Sequence, residues 1–217
     1  MSPPTALVLG ETRFPFHDLD DLGPALEAAL GDAADATLTT DKDALTDLSG
    51  YDLVIDYTTD STLTDDQREG LLGFVADGGG YLGVHSASDL TSLADGDGGL
   101  DHRDDPFPEL RDLVGGHFTG HPEQSTFGVD VVDDHPVTEG VDDFEVYDEP
   151  YEVDVDDDVR VLARMDHPDL PDHPVVWVKP YGDGRVCYAS LGHTEDAFET
   201  DSYRRLLRNA VGWVAGA

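Results

Sequence analysis

The sequence predicts one α/β domain over residues 1–217, with a mostly parallel sheet to which the C-terminal half adds antiparallel strands. Three observations carry that expectation. The first half alternates short apolar runs with helix-patterned stretches, the second half strings together five strand-like runs with little helix between them, and 217 residues suffice for one well-buried core. In order, the continuous apolar run Thr5–Leu9 is a strand, the loop 10–18 follows, and Leu19–Leu30 has the spacing of an amphipathic helix. Residues 36–39 form a weak second strand and 53–57 a buried parallel one. Thr64 with Gln67 three residues on is a capping-box pattern, opening a helix that ends at the glycines from Gly78. Strand 81–85 comes next, so the first half reads β-α-β-α-β-α-β, the order of a parallel sheet with right-handed crossovers. Residues 95–108, rich in Gly, Asp and Pro, are a surface excursion over the ligand edge of the sheet, and 109–114 a short helix. The runs 126–132, 145–153, 159–165, 175–179 and 185–191 are the five later strands. In 203–214, Leu206, Leu207, Ala210, Val211 and Val214 share one helical face that docks back on the sheet.

Forty-eight Asp and Glu against twelve Lys and Arg give a net charge of −36, spread along the whole chain rather than gathered in a tail. That distribution is expected of a globular surface adapted to high salt, as in the cytoplasm of a halophile, where counterions screen self-repulsion. A hydrophobic fraction of 39% with regular periodicity argues against an acidic disordered chain. The charge excludes nucleic acid as a partner, since phosphate binding needs basic patches. No run of 18 apolar residues and no basic-then-apolar leader is present, so neither a membrane span nor a signal peptide is expected. The single cysteine, Cys187, excludes an intrachain disulfide and sits in an apolar strand, as a buried small hydrophobe does. Oligomeric state is open, a homo-oligomer included.

The chemistry-bearing residues gather at predicted strand ends and loops. Gly78-Gly79-Gly80-Tyr81-Leu82-Gly83-Val84-His85 is an apolar strand that delivers a histidine at its carboxyl end, the end that faces the ligand crevice of an open α/β sheet. Arg185-Val186-Cys187-Tyr188-Ala189-Ser190-Leu191-Gly192-His193 repeats the pattern, with Glu195 two residues further on. If the two strands are neighbours, His85 and His193 converge. His117 and His121, set among glycines before Pro122, are not a helical zinc pair. Glu149 and Tyr151 lie in the strand-like run 145–153, and His17 lies in the loop after the first strand, which also opens onto the crevice. Imidazole and carboxylate carry protons near neutral pH or hold a borderline metal; a histidine read alone is more often a hydrogen-bonded structural residue, and it is their strand-end position that raises His85 and His193 above the rest. His135 belongs to a turn with Pro136, and His102, His167 and His173 fall in polar loops. Trp177 is either core or a stacking platform for a sugar ring.

Segments 51–55, 78–87, 115–122, 134–140, 148–151, 174–185 and 190–198 together resemble, in family order, the ThuA-like family, which is named for a trehalose-utilisation protein and grouped by fold with the class I glutamine amidotransferase-like proteins. The resemblance implies a flavodoxin-like core in a three-layer sandwich. It also sets Gly83-Val84-His85-Ser86-Ala87 where true amidotransferases carry a Gly-x-Cys-x-Gly nucleophile elbow, while His193-Thr194-Glu195 matches their His-x-Glu. His85 thus stands where the nucleophilic cysteine would be, and an imidazole cannot form the same thioester, so glutamine hydrolysis by that route is not expected. Ser86, one residue past the apex, is no substitute.

Three functional readings follow. The first is an enzyme acting on a disaccharide or an oxidised sugar, with His85 and His193 as acid and base, Glu195 orienting His193, and His17, His117, His121, Glu149, Tyr151 and Trp177 contacting substrate. In that reading His85, His193 and Glu149 also suit a divalent metal such as zinc. The second is a non-catalytic sugar-binding or assembly module that has lost the nucleophile, its pocket walled by Trp177, Tyr151 and Phe118. The third, a cysteine hydrolase, requires Cys187 to reach the site from six residues before His193.

Overall fold

The computed structural model describes residues 2–95 and 99–216. Its first half runs β1 (Thr5–Leu9), α1 (Leu19–Leu30), β2 (Asp35–Thr39), β3 (Leu53–Asp56), α2 (Asp65–Ala76) and β4 (Gly80–Val84). A small hairpin of β5 (Ser92–Ala94) and β6 (Leu100–His102) leads to α3 (Pro108–Val114) and β7 (Gly116–Gly120). The remainder is β8 (Ser125–Val131), β9 (Phe144–Asp148), β10 (Glu152–Val155), β11 (Arg160–Asp166), β12 (Pro174–Tyr181), β13 (Gly184–Ala189), α4 (Glu195–Glu199) and α5 (Asp201–Val214).

Nine strands form one sheet in the order β2-β1-β3-β4-β13-β12-β11-β8-β9. The first five are parallel and the last four are antiparallel to their neighbours, as the sequence predicts. Alternation along the strands sorts side chains to two faces. Leu82, Val84, Cys187 and Ala189 join a core with Leu26 and Leu30 of α1, Phe198 of α4 and Leu206, Leu207 and Val211 of α5. Tyr81, Val186 and Tyr188 face the other way, with Leu71 and Val75 of α2 and Leu113 of α3. The result is the three-layer sandwich of a flavodoxin-like fold, in which each buried Leu or Val contributes roughly 1.5–3 kcal/mol.

Four details depart from the sequence reading. No α-helix joins β2 to β3; residues Lys42–Thr46 form a 3-10 turn. There Asp41 and Asp47 accept from Asp43 and Ser49 backbone N–H groups and Thr46 donates to the Asp43 carbonyl, local bonds that compete with a helix. The run 145–153 is not one strand. Pro150, which cannot donate to a ladder, separates β9 in the main sheet from β10, which pairs with β7 in a sheet of its own. Strand β7 itself has no alternation to betray it; Gly115 ends α3 at φ 79°, and a Cβ on Gly116 would meet the Asp154 carbonyl oxygen at 2.9 Å. In the excursion 95–108, β6 returns to pair with β5, while residues 96–98 lie outside the described ones.

Among the described residues no helix is long and apolar enough to cross a membrane. Cys187 is fully buried between β4 and β12, and burial pushes its thiol up, so the cysteine-hydrolase reading has no accessible nucleophile. Iodoacetamide is therefore expected to leave Cys187 unmodified in the native protein and to alkylate it fully in denaturant, as read by intact mass. Rapid native alkylation would contradict the packing.

Candidate functional site

Strands β4 and β13 are parallel neighbours in the register Val84↔Ala189, so the loops that carry His85 and His193 leave the sheet side by side. Directly after β4 the chain turns sharply, and His85 takes φ 47°. Its only non-glycine companion at positive φ among the described residues is His17, at 53°, in the loop closed by the Glu11↔Asp18 bridge ahead of α1. Left-handed backbone is costly for a residue with a Cβ and persists only where the surroundings over-determine it. For His85 the surroundings are visible: the Tyr188 hydroxyl donates to the His85 carbonyl oxygen at 2.6 Å, and Ser88 Oγ contacts that hydroxyl at 2.6 Å.

The loop of His193 is held at almost every polar backbone atom. The carbonyls of Leu191 and Gly192 accept from the Tyr203 and Tyr57 hydroxyls, both at 2.7 Å. Asp148, buried at the end of β9, accepts the N–H groups of Gly192 and His193 at 2.6 and 3.0 Å. Because Pro150 ends the strand there, the next residue, Glu149, turns its carboxylate into the same space.

Four ligand-type atoms converge as a result. One each from His17, His85, Glu149 and His193 lie within 4.8 Å of one another. His193 Nδ1 is 2.8 Å from His17 Nε2, 3.2 Å from His85 Nε2 and 3.1 Å from Glu149 Oε2. The Ser190 carbonyl can only accept, so His85 Nδ1 donates to it at 2.7 Å, and in the neutral imidazole Nε2 is left as a lone pair facing the cluster. His17 Nδ1 is bound by Thr59 Oγ1 at 2.9 Å, which turns its Nε2 inward in the same way. Outer partners of this kind orient metal-binding imidazoles. Burial, with His85 and His193 alongside, pushes the His17 imidazole well below its usual value and keeps it neutral. Burial would raise Glu149, but the hydrogen bond from His193 and the nearby His85 outweigh it and hold the carboxylate ionised. Three imidazole rings around an ionised carboxylate form a donor set suited to zinc or a similar divalent ion.

The other sequence candidates divide. His121 reaches the cluster, with Nδ1 3.1 Å from Glu149 Oε1 and its ring partly exposed at the mouth. Tyr151 is buried with its ring 4.1 Å from that of His85, and Phe118 packs on it at 4.4 Å. His117 instead accepts from Arg111, which also pairs with Asp154 and Asp156, outside the four-residue cluster. Trp177 is fully buried core, stacked on Tyr188 and donating to the Val114 carbonyl, so it offers no face to a sugar. Glu195 does not orient His193. Thr194 caps α4, and Glu195 enters its first turn exposed to solvent, while Glu149 and Asp148 take the orienting positions. Asp148, Thr59 and Ser190 were not among the sequence candidates, since their roles depend on chain segments 42 to 105 residues away.

Residues 5–214 match the sequence profile of the ThuA family, described as trehalose utilisation. A search of curated proteins finds no match. Among solved structures, a ThuA-like protein from Bacteroides uniformis superposes with a TM-score of 0.76 at 22% identity, covering 99% of this chain and 93% of that one. A ThuA-like protein from Parabacteroides merdae gives 0.74 at 18%, covering 99% and 90%. Part of a β-galactosidase from the haloarchaeon Halorubrum lacusprofundi gives 0.65 at 21%, covering 100% of this chain and 31% of that one. At these identities the likeness is one of fold.

The hydroxyl of Tyr188 supports the strained turn of His85, so Tyr188→Phe is expected to lower stability by about 1–3 kcal/mol in a denaturant titration, the cost of leaving buried polar groups unpaired. An unchanged midpoint would show that the turn holds without it.

Proposed function

The chain belongs to the ThuA family, described as trehalose utilisation, and from that premise we propose that it has a role in carbohydrate metabolism and acts on a disaccharide or an oxidised sugar at a divalent-metal site held by His17, His85, His193 and Glu149. The observation that carries this reading is the convergence of four ligand atoms within 4.8 Å, two of them turned inward by hydrogen bonds from the far side of their rings. A zinc-like ion in such a site polarises a sugar carbonyl or hydroxyl as a Lewis acid. His85, His193 and Glu149 keep their places from the sequence reading, and His17 joins them as a ligand rather than a substrate contact. His121, at the mouth and in contact with Glu149 Oε1, is positioned to carry a proton between the site and solvent. Tyr151 and Phe118 close one wall and keep water from the imidazoles. No thiol takes part, which separates the chemistry from amide hydrolysis on the same fold.

Elemental mass spectrometry of untagged protein prepared in molar KCl without chelator is the test. About one divalent ion per chain is expected, falling at least tenfold in His85→Ala and His193→Ala and restored by neither zinc nor manganese at micromolar concentration. Metal-free wild type that still binds sugar would replace this reading with the non-catalytic sugar-binding module.

A further inference from the structure

Helix α5 carries three of the chain's twelve cationic side chains, Arg204, Arg205 and Arg208, and all three line one open cavity of about 530 Å³. Gly140, Asp201 and Ser202 complete the lining, and none of the six residues belongs to the histidine cluster. In a chain of net charge −36 a cation ordinarily finds a carboxylate. Seven of the twelve do, with a carboxylate oxygen within 4.0 Å, whereas among the described residues these three have none.

Two of the guanidiniums are held in place by their inner nitrogen. Arg204 Nε donates to the Phe198 carbonyl at 2.7 Å in the last turn of α4, and Arg208 Nε donates to the Ala29 carbonyl at 2.8 Å in the last turn of α1. Carbonyls at helix C-termini attract cations, which accounts for where these side chains lie. Each bond uses one of the five N–H donors of its fork. Arg205 makes no hydrogen bond among the described residues and lies over Gly140, where a Cβ would come within 2.6 Å of Arg205 Nη1. Gly140, at φ 67°, leaves that space to the guanidinium.

Three guanidiniums against the single Asp201 carboxylate leave two positive charges in the cavity. A phosphate group carries about −1.5 to −2 near pH 7 and offers oxygens to several forks at once, while a lone carboxylate cancels only one charge. The net charge of the chain is no bar, since at about 0.15 M salt charges more than about 8 Å away are screened. The volume is that of a small-ligand pocket, and six lining residues are too few for a protein partner, which takes about 20–30 on each side.

We propose that this cavity is a phosphate-binding site, for the free ion or a phosphate monoester, in which the free donors of Arg204, Arg205 and Arg208 hold the oxygens. The assignment is independent of the metal and sugar readings of the histidine cluster.

Equilibrium dialysis with radiolabelled inorganic phosphate, at constant KCl, on wild type, Arg205→Gln, Arg208→Gln and Arg13→Gln tests it. Arg205→Gln breaks no hydrogen bond among the described residues, so it decides alone if Arg208→Gln fails to fold. Arg13 is the control, since it lines a different polar cavity and pairs with Asp60. One phosphate per chain is expected, bound at least tenfold more weakly by Arg205→Gln and Arg208→Gln and within twofold of wild type by Arg13→Gln. Competition by glycerol phosphate separates the sources: displacement at a lower concentration than unlabelled phosphate assigns a phosphorylated molecule, displacement at a higher one assigns the free ion, and both uphold the site. A wild type that binds no phosphate, or an Arg205→Gln variant that binds it within twofold of wild type, overturns the proposal, the latter by placing the ion at the histidine cluster or elsewhere on the surface.

Discussion

Three consecutive backbone carbonyls, those of Ser190, Leu191 and Gly192, each accept a hydrogen bond from a buried side chain, respectively His85, Tyr203 and Tyr57. Those donors come from three different elements, so the loop after β13 is located against β4, α5 and the end of β3 at once. Asp148 fixes the amide side of the same loop from β9, at the far edge of the sheet. Every buried polar group involved is satisfied by another, and low dielectric makes leaving any of them unpaired costly. The geometry of the four-residue cluster is a consequence of this crossing. His85 cannot bond Ser190 without turning Nε2 inward, and His193 cannot leave Asp148 without losing its place between Glu149 and His17.

The same constraint accounts for where the backbone is strained. His17 and His85, the two non-glycine residues at positive φ among the described residues, are both members of the cluster. A left-handed turn immediately after a parallel strand projects a side chain above the sheet edge, as a nucleophile elbow does. In this chain the projected group is an imidazole whose outer nitrogen is committed to a carbonyl. An imidazole rather than a thiol therefore stands above the sheet edge at this position.

Much of the frame was legible in the sequence because it rests on local pattern. The apolar runs, the Thr64 and Gln67 capping box and the stripe on α5 predict their elements directly, and the matching ends of the 81–85 and 185–191 runs predict the meeting of His85 and His193. What was not legible depends on interruptions and on distance along the chain. The break at Pro150 makes Glu149 a cluster residue instead of one more strand position, and Pro150 is the signal that could have shown it. Glu195 was misplaced because a His-x-Glu spacing says nothing about Thr194, whose cap on α4 swings the next residue to solvent. His17 and Asp148 could not be assigned to their neighbours without the topology, since strand order decides which loops share an edge.

The metal-binding centre proposed for His17, His85, His193 and Glu149 rests on the convergence of three imidazoles and one carboxylate. Anomalous diffraction from a crystal grown with zinc, with data on both sides of the zinc edge, tests it most directly. One strong peak is expected about 2.0–2.2 Å from His17 Nε2, His85 Nε2, His193 Nδ1 and a Glu149 oxygen. Zinc bound only at surface aspartates, with the four side chains still in mutual hydrogen-bond contact, would contradict it.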